Sequence, residues 1–185
     1  MLQGRSFFVM LFILLIIWTT GYAGDLDKDL INAAKTGDTI AVKSCLAKGA
    51  NAKAKDPLGQ SALALASKYG HAEIVQVLLD NGADPSARDL LGGGLALINA
   101  AQQGHLKVVE SLLAGGAEID EKYKNGGTAL MYAAHSNHPD IVRLLVSKGA
   151  DINLKNSNGN TALYYADKFE YTEIIQILKE AGAKE

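Results

Sequence analysis

Apolar positions fall along this chain in a two-part pattern that recurs. A short, small-residue run such as Ala62-Leu63-Ala64-Leu65-Ala66 is followed by a longer segment with Ile74, Val75, Leu78 and Leu79 at helical spacing. Between the two stands Gly37, Gly70 or Gly104, a residue that permits a left-handed turn. Asn137 also suits that turn, and Glu170 fits it less well. The segment Gly70-His71-Ala72-Glu73-Ile74-Val75-Gln76-Val77-Leu78-Leu79 returns as Gly104-His105-Leu106-Lys107-Val108-Val109-Glu110-Ser111-Leu112-Leu113. It returns again as Asn137-His138-Pro139-Asp140-Ile141-Val142-Arg143-Leu144-Leu145. A Gly-Ala pair closes each copy at Gly49, Gly82, Gly116, Gly149 and Gly182, with successive spacings of 33, 34, 33 and 33 residues. A fixed period of this length marks a solenoid, because no single copy can bury its apolar face without a neighbour.

Ser61, Thr128 and Thr161 precede the short runs, where their hydroxyls are expected to cap a helix. Each Gly-Ala end leads into an extended segment that turns back at Gly59, Gly92, Gly126 or Gly159, as a hairpin would. The expected fold is an all-α repeat solenoid of stacked helix-turn-helix units joined by β-hairpin loops.

Over roughly Asp27 to Ala183 the chain resembles the ankyrin-repeat family. The resemblance rests on Gly126-Gly127-Thr128-Ala129-Leu130 at a helix start and on Gly70-His71-Ala72-Glu73-Ile74-Val75 at the turn into a second helix. The family's Thr-Pro-Leu-His appears as Ser61-Ala62-Leu63-Ala64, Leu95-Ala96-Leu97-Ile98, Thr128-Ala129-Leu130-Met131 and Thr161-Ala162-Leu163-Tyr164. The missing Pro and His remove a turn-locking contact and leave the helix pattern intact.

The copies divide the chain at 25–55, 56–88, 89–122, 123–155 and 156–185. Asp27-Lys28-Asp29 opens the first with the polar character of an amino-terminal cap. Lys179, where earlier copies have Leu79, Leu113 or Leu145-Val146, closes the last. Cys45 takes the position of Leu78, so it reads as a buried small hydrophobe. Gly92-Gly93-Gly94 carries one extra residue and Leu95 replaces the capping hydroxyl, which makes the third copy the expected weak point.

Met1 to Ala23 stands apart from the repeats. Arg5 gives a basic start, Phe7 to Trp18 is an unbroken apolar run of 12 residues, and small residues end the stretch at Ala23. That is the pattern of a signal peptide cleaved after Ala23, and twelve residues fall short of the ~20 of a bilayer span. The alternative is an uncleaved anchor using Phe7 to Tyr22. Export places the remainder, 24–185, in the periplasm or outside the cell.

Composition adds exclusions. A net charge of −2 on 185 residues argues against a nucleic-acid partner. The single cysteine cannot form an internal disulfide. His71, His105 and His138 recur at one repeat position and are expected to form a structural ladder. His135, His138 and Asp140 straddle one turn with no second cluster of ligands, so no metal site is expected. The chain has no phosphate loop and no paired-cysteine motif, and no catalytic residue or cofactor is assigned.

Aligned by repeat, the exposed positions show a basic series. Lys55, Arg88, Lys122 and Lys155 end the extended segments, and Lys35, Lys68, Gln102, His135 and Lys168 precede each inter-helix turn by two residues. In the geometry of the family, both series line one concave side. Lys35, Lys55, Lys68, Arg88, Lys122, His135, Lys155 and Lys168 are therefore the candidate partner-binding residues, expected to meet an acidic surface. Asp56, Asp89, Asp120, Asp167 and Glu170 lie near them, and the competing reading is a solvated mixed-charge face.

The resemblance implies a non-catalytic protein-binding module; with the signal-peptide reading, the expectation is a monomer acting in the envelope, similar to small exported ankyrin proteins of bacteria. Two roles fit that class: an immunity protein against a toxic effector, and an accessory factor protecting an envelope enzyme under oxidative stress. A structural scaffold is the reading from a different class.

Overall fold

The computed structural model describes residues 26–88 and 95–184. The segment read as a signal peptide or anchor, Met1 to Ala23, lies outside the described residues, as do Asp89 and Gly92-Gly93-Gly94. The helices run in pairs: α1 (26–36) with α2 (Thr39–Ala47), α3 (Ala62–Lys68) with α4 (Ala72–Asp80), and α5 (Ala96–Gln103) with α6 (Leu106–Ala114). The last two pairs are α7 (Ala129–His135) with α8 (Pro139–Ser147), and α9 (Ala162–Lys168) with α10 (Thr172–Glu180).

From α3 onward the first helix of each pair packs on its counterpart in the next pair, and the second helices form an outer row. Small residues allow the inner row to close up, with Ala62, Ala66, Ala100, Ala129, Ala133 and Ala166 fully buried. Neighbouring inner helices are in closer contact than neighbouring outer ones, so the stack curves with the inner row on its concave side. The outer helices contribute branched side chains at fixed positions. Ile74, Val75 and Leu78 recur as Val108, Val109 and Leu112 and as Ile141, Val142 and Leu145, all buried. Fully burying each such side chain stabilises the stack by about 1.5–3 kcal/mol. Cys45 is buried in the same core, at the position of Leu78.

Three recurring contacts join one repeat to the next. The first is the histidine ladder, which the structure forms as the periodicity predicts. The Nε2 atoms of His71, His105 and His138 lie 3.3, 3.1 and 3.1 Å from the carbonyl oxygens of Lys35, Lys68 and Gln102, respectively. Each ring rests on the turn glycine of the preceding repeat, so closely that a Cβ on Gly37, Gly70 or Gly104 would stand 2.5–2.7 Å from the imidazole. That position therefore needs glycine twice over, for its positive φ and for the missing Cβ. Asn137 and Glu170 adopt the same left-handed backbone at φ 59° and 58°. The repeat that follows Asn137 has Tyr171 in place of the histidine.

The second contact is made where a repeat enters its loop. Asp120 accepts from the Asp151 N–H at 3.1 Å, and Asn153 accepts from the Lys184 N–H at 2.9 Å. Asp27 does the same for the Asn51 N–H at 2.6 Å, so this acid ties the first repeat to its own loop. The third contact runs along the loop tips and belongs with the candidate site.

The loops are tight turns more than hairpins. Asp56 Oδ1 accepts from the N–H groups of Leu58 and Gln60, and Asn156 Oδ1 accepts from those of Asn158 and Asn160. The two arms are joined by single backbone bonds, the N–H groups of Asp56, Tyr123 and Asn156 donating to the carbonyls of Gln60, Gly127 and Asn160 at 2.9–3.0 Å, and among the described residues one isolated bridge pairs Lys55 with Ser61. Two expectations about caps change. Ser61 and Thr161 accept from the N–H groups of Ala64 and Tyr164, both at 3.1 Å, but Thr128 makes no such bond. Leu95 likewise caps nothing, yet it is 1% exposed and works as a core residue, so its position is not simply a defect. Lys179 is exposed, as a closing repeat requires.

A candidate protein-binding face

The loop-tip residues do not form a uniform row of free cations. Lys55 donates from Nζ to the Arg88 carbonyl at 2.8 Å. Arg88 in turn donates from Nη2 to the Lys122 carbonyl at 3.0 Å and to Glu121 Oε1 at 2.9 Å. Each reaches the equivalent residue one repeat on, so these two cations stitch the loops together. Lys122 and Lys155 are exposed and make no such bond among the described residues. One structural position thus carries two jobs, stacking in the first half of the molecule and an open charge in the second.

Along the inner helices, the backbone carbonyls of Lys35, Lys68 and Gln102 accept the histidine ladder while their side chains stay exposed. Lys68 Nζ lies 5.8 Å from the centre of the Tyr69 ring. Lys168 Nζ lies 6.0 Å from the Tyr164 ring and 5.7 Å from Phe169. These are cation–π distances. His135 is surrounded by rings, edge-on to Tyr165 and to Phe169 with centroids 5.2 Å away in both cases.

The face also holds residues that charge alignment did not single out. Leu65, Asn99, Tyr132 and Tyr165 occupy one repeat position, three residues before Lys68, Gln102, His135 and Lys168, and so share their helix face. Tyr132 and Tyr165 wall a hollow of about 190 Å³ with Gln102, Asn125, Met131 and His135. A second hollow of about 290 Å³ adjoins it, lined by Gln60, Lys68, Ile98, Asn99 and Tyr123, and shares Gln102 and Tyr132. The phenol oxygens are tied down, Tyr132 by the Asn125 amide at 3.1 Å and Tyr165 by the Asn156 amide at 2.8 Å. Burial pushes the Tyr132 hydroxyl above its ordinary pKa of 10.0, against the opposing hydrogen bond from Asn125. The signal was present in the sequence as aromatic residues three positions before the cationic ones.

The outer layer differs. There Lys43 pairs with Glu73 at 2.8 Å and Arg143 with Glu173 at 3.1 Å, each across a joint between repeats. No group of three or more acidic, His or Cys side chains that could hold a metal ion occurs among the described residues. No described helix is long and apolar enough to cross a membrane.

Paired helices, left-handed turns and repeat-to-repeat ladders define a helical solenoid with an open concave face. The family model for ankyrin repeats (three copies) matches residues 15–89 and 97–185, and the chain belongs to the ankyrin-repeat family. Ankyrin repeats are generally protein–protein interaction modules. The chain is 42% identical over 65 residues to the ankyrin repeat protein YahD of Escherichia coli (strain K12), covering 35% of this chain and 32% of that protein. It is 39% identical over 77 residues to the 2-5A-dependent ribonuclease of Mus musculus, covering 41% of this chain and 10% of the relative. It is 41% identical over 63 residues to the inactive serine/threonine-protein kinase TEX14 of Mus musculus, covering 34% and 4%. The chain thus spans about a third or less of the length of each of these relatives.

Proposed function

We propose that this chain is an exported, non-catalytic binding module that holds a partner protein on the face built from its loop tips and inner helices. The observation that carries this reading is what the inner side offers: two adjoining hollows walled by Tyr123, Tyr132 and Tyr165, with the exposed Lys68 and Gln102 at their edge. The loop tips add Lys122 and Lys155, exposed and without a bond partner among the described residues. Unpaired charge beside half-buried rings is the composition of a protein interface awaiting its other half. The partner presents an acidic surface, and the protein works as a monomer in the envelope, released there by cleavage after Ala23. Blocking a toxic effector and protecting an envelope enzyme both use such a face, and the partner's identity separates them from a purely structural scaffold.

Site-specific photocrosslinking in envelope extracts tests the reading. A photoreactive residue at Lys122 or Lys155 should capture a discrete protein, and one at Lys107 on α6 should not. Capture only from Lys107 would place the interface on the outer helices and overturn it.

A further inference from the structure

We infer that the groove takes an extended acidic segment of the partner, anchored by one aromatic side chain inserted between Tyr132, His135 and Tyr165. The inference rests on the protein-binding reading above and names the chemistry of the partner.

The anchor site is apolar where it is deepest and polar at its rim. Met131 is buried at 3% exposure, Tyr132 and Tyr165 are half-buried, and Gln102 and Asn125 supply amides at the edge. The walls are held before any ligand arrives, since both phenol oxygens are bonded to asparagine amides. A wall already fixed loses little freedom on binding, which favours affinity. His135 and Tyr165 meet edge to face, and an inserted ring would continue that arrangement.

Shape and charge define the rest of the segment. The second hollow continues the first toward Lys68, so the footprint is a track and not a single pit. Lys68 stands at one end, and Lys168 lies at the other, against Tyr164 and Phe169. Lys122 and Lys155 stand exposed on the loop-tip side. Three carboxylates of the loop side are turned to the protein itself: Asp56 to the N–H groups of its own turn, Asp120 to Asp151, Glu121 to Arg88. Asp167 and Glu170 stand exposed beside Lys168, so the acidic flank of the segment belongs on the Lys68, Lys122 and Lys155 side. A segment with an aromatic residue flanked by Asp or Glu on that side matches this layout. Rings and lysines also suit single-stranded nucleic acid, but that class stacks successive bases in the open. A hollow of about 190 Å³ with amides at its rim fits one inserted side chain better.

Selection of a random twelve-residue peptide library on the full chain tests the inference. Recovered peptides should carry one Trp, Phe or Tyr beside acidic residues. A synthetic peptide of that consensus, labelled with fluorescein, should weaken about tenfold or more when its aromatic residue becomes Ala. Tyr165→Ala should weaken it similarly, and Tyr165→Phe, which keeps the ring, much less. Because Tyr165→Ala removes packing, Lys68→Glu with Lys168→Glu provides a surface test: binding should fall several-fold and depend less on salt, while Lys107→Glu changes nothing. A consensus without acidic residues, binding indifferent to both sets of variants, or tighter binding of a ten-residue oligothymidine would overturn the inference. So would a library that yields no aromatic–acidic consensus. Crosslinks from Lys122 or Lys155 to a partner protein would in any of those cases leave the protein-binding reading standing.

Discussion

The imidazole of His138 occupies the space where a side chain on Gly104 would begin: a Cβ there would stand 2.5 Å from its Cε1 atom. Gly116 has a similar backbone, φ 90° against 80°, but open space around it. The two glycines therefore separate backbone strain from collision. Gly116→Ala should cost only the left-handed penalty, about 1–2 kcal/mol. Gly104→Ala should cost about 2–4 kcal/mol, because overpacking against His138 adds to it. Urea unfolding checks both. Combining Gly104→Ala with His138→Ala should cost less than the sum of the single changes, the sign of a shared contact.

Leu95 offers a test of cap against core. A hydroxyl at this helix start would contribute about 1 kcal/mol, whereas truncating a buried leucine costs about 2–5 kcal/mol. Leu95 is 1% exposed, so Leu95→Ser should destabilise the protein despite restoring the capping residue type of Ser61. A gain in melting temperature would show that the cap matters more than the burial.

Cys45 should be unreactive in the folded chain and should make stability fall in alkali. Burial raises its thiol pKa above 9.0, Asp29 and Asp38 add to the shift, and Lys48 opposes it. The folded state therefore holds the proton more tightly than the unfolded chain. The resulting stability is complete below about pH 9 and is lost as pH rises past the unfolded thiol's value and through the folded one. Thiol labelling under native conditions should be slow and should track global unfolding. Labelling at the rate of a free thiol at pH 8 would contradict this.

The basic loop-tip residues should divide into two pairs. Lys55→Ala and Arg88→Ala remove bonds to the next repeat and should each lower stability, by under about 1 kcal/mol because both side chains are well exposed. Lys122→Ala and Lys155→Ala should leave the melting curve unchanged and slow association with an acidic partner at low salt. Equal effects of all four on stability would mean that the stitch from Lys55 through Arg88 contributes nothing.

Periodicity alone carried the fold, because a residue's neighbours in a solenoid are its own counterparts about 33 positions away. It placed His71, His105 and His138 in a ladder, and the burial of Cys45 followed from alignment with Leu78. The candidate face was less legible. Alignment showed that Lys55, Arg88, Lys122 and Lys155 share a position but not that the first two reach the next carbonyl, a matter of rotamer and distance. The aromatic groove escaped because Tyr132 and Tyr165 read as ordinary helix residues, and only packing shows Asn125 and Asn156 holding their hydroxyls.

Hydrogen exchange of the complex with the crosslinked partner tests the central claim most directly. Added protection should fall on the loop tips at 55–61, 122–128 and 155–161 and on α5, α7 and α9, with α4, α6 and α8 unchanged. Protection confined to α4, α6 and α8 would place the partner on the outer helices and contradict the account.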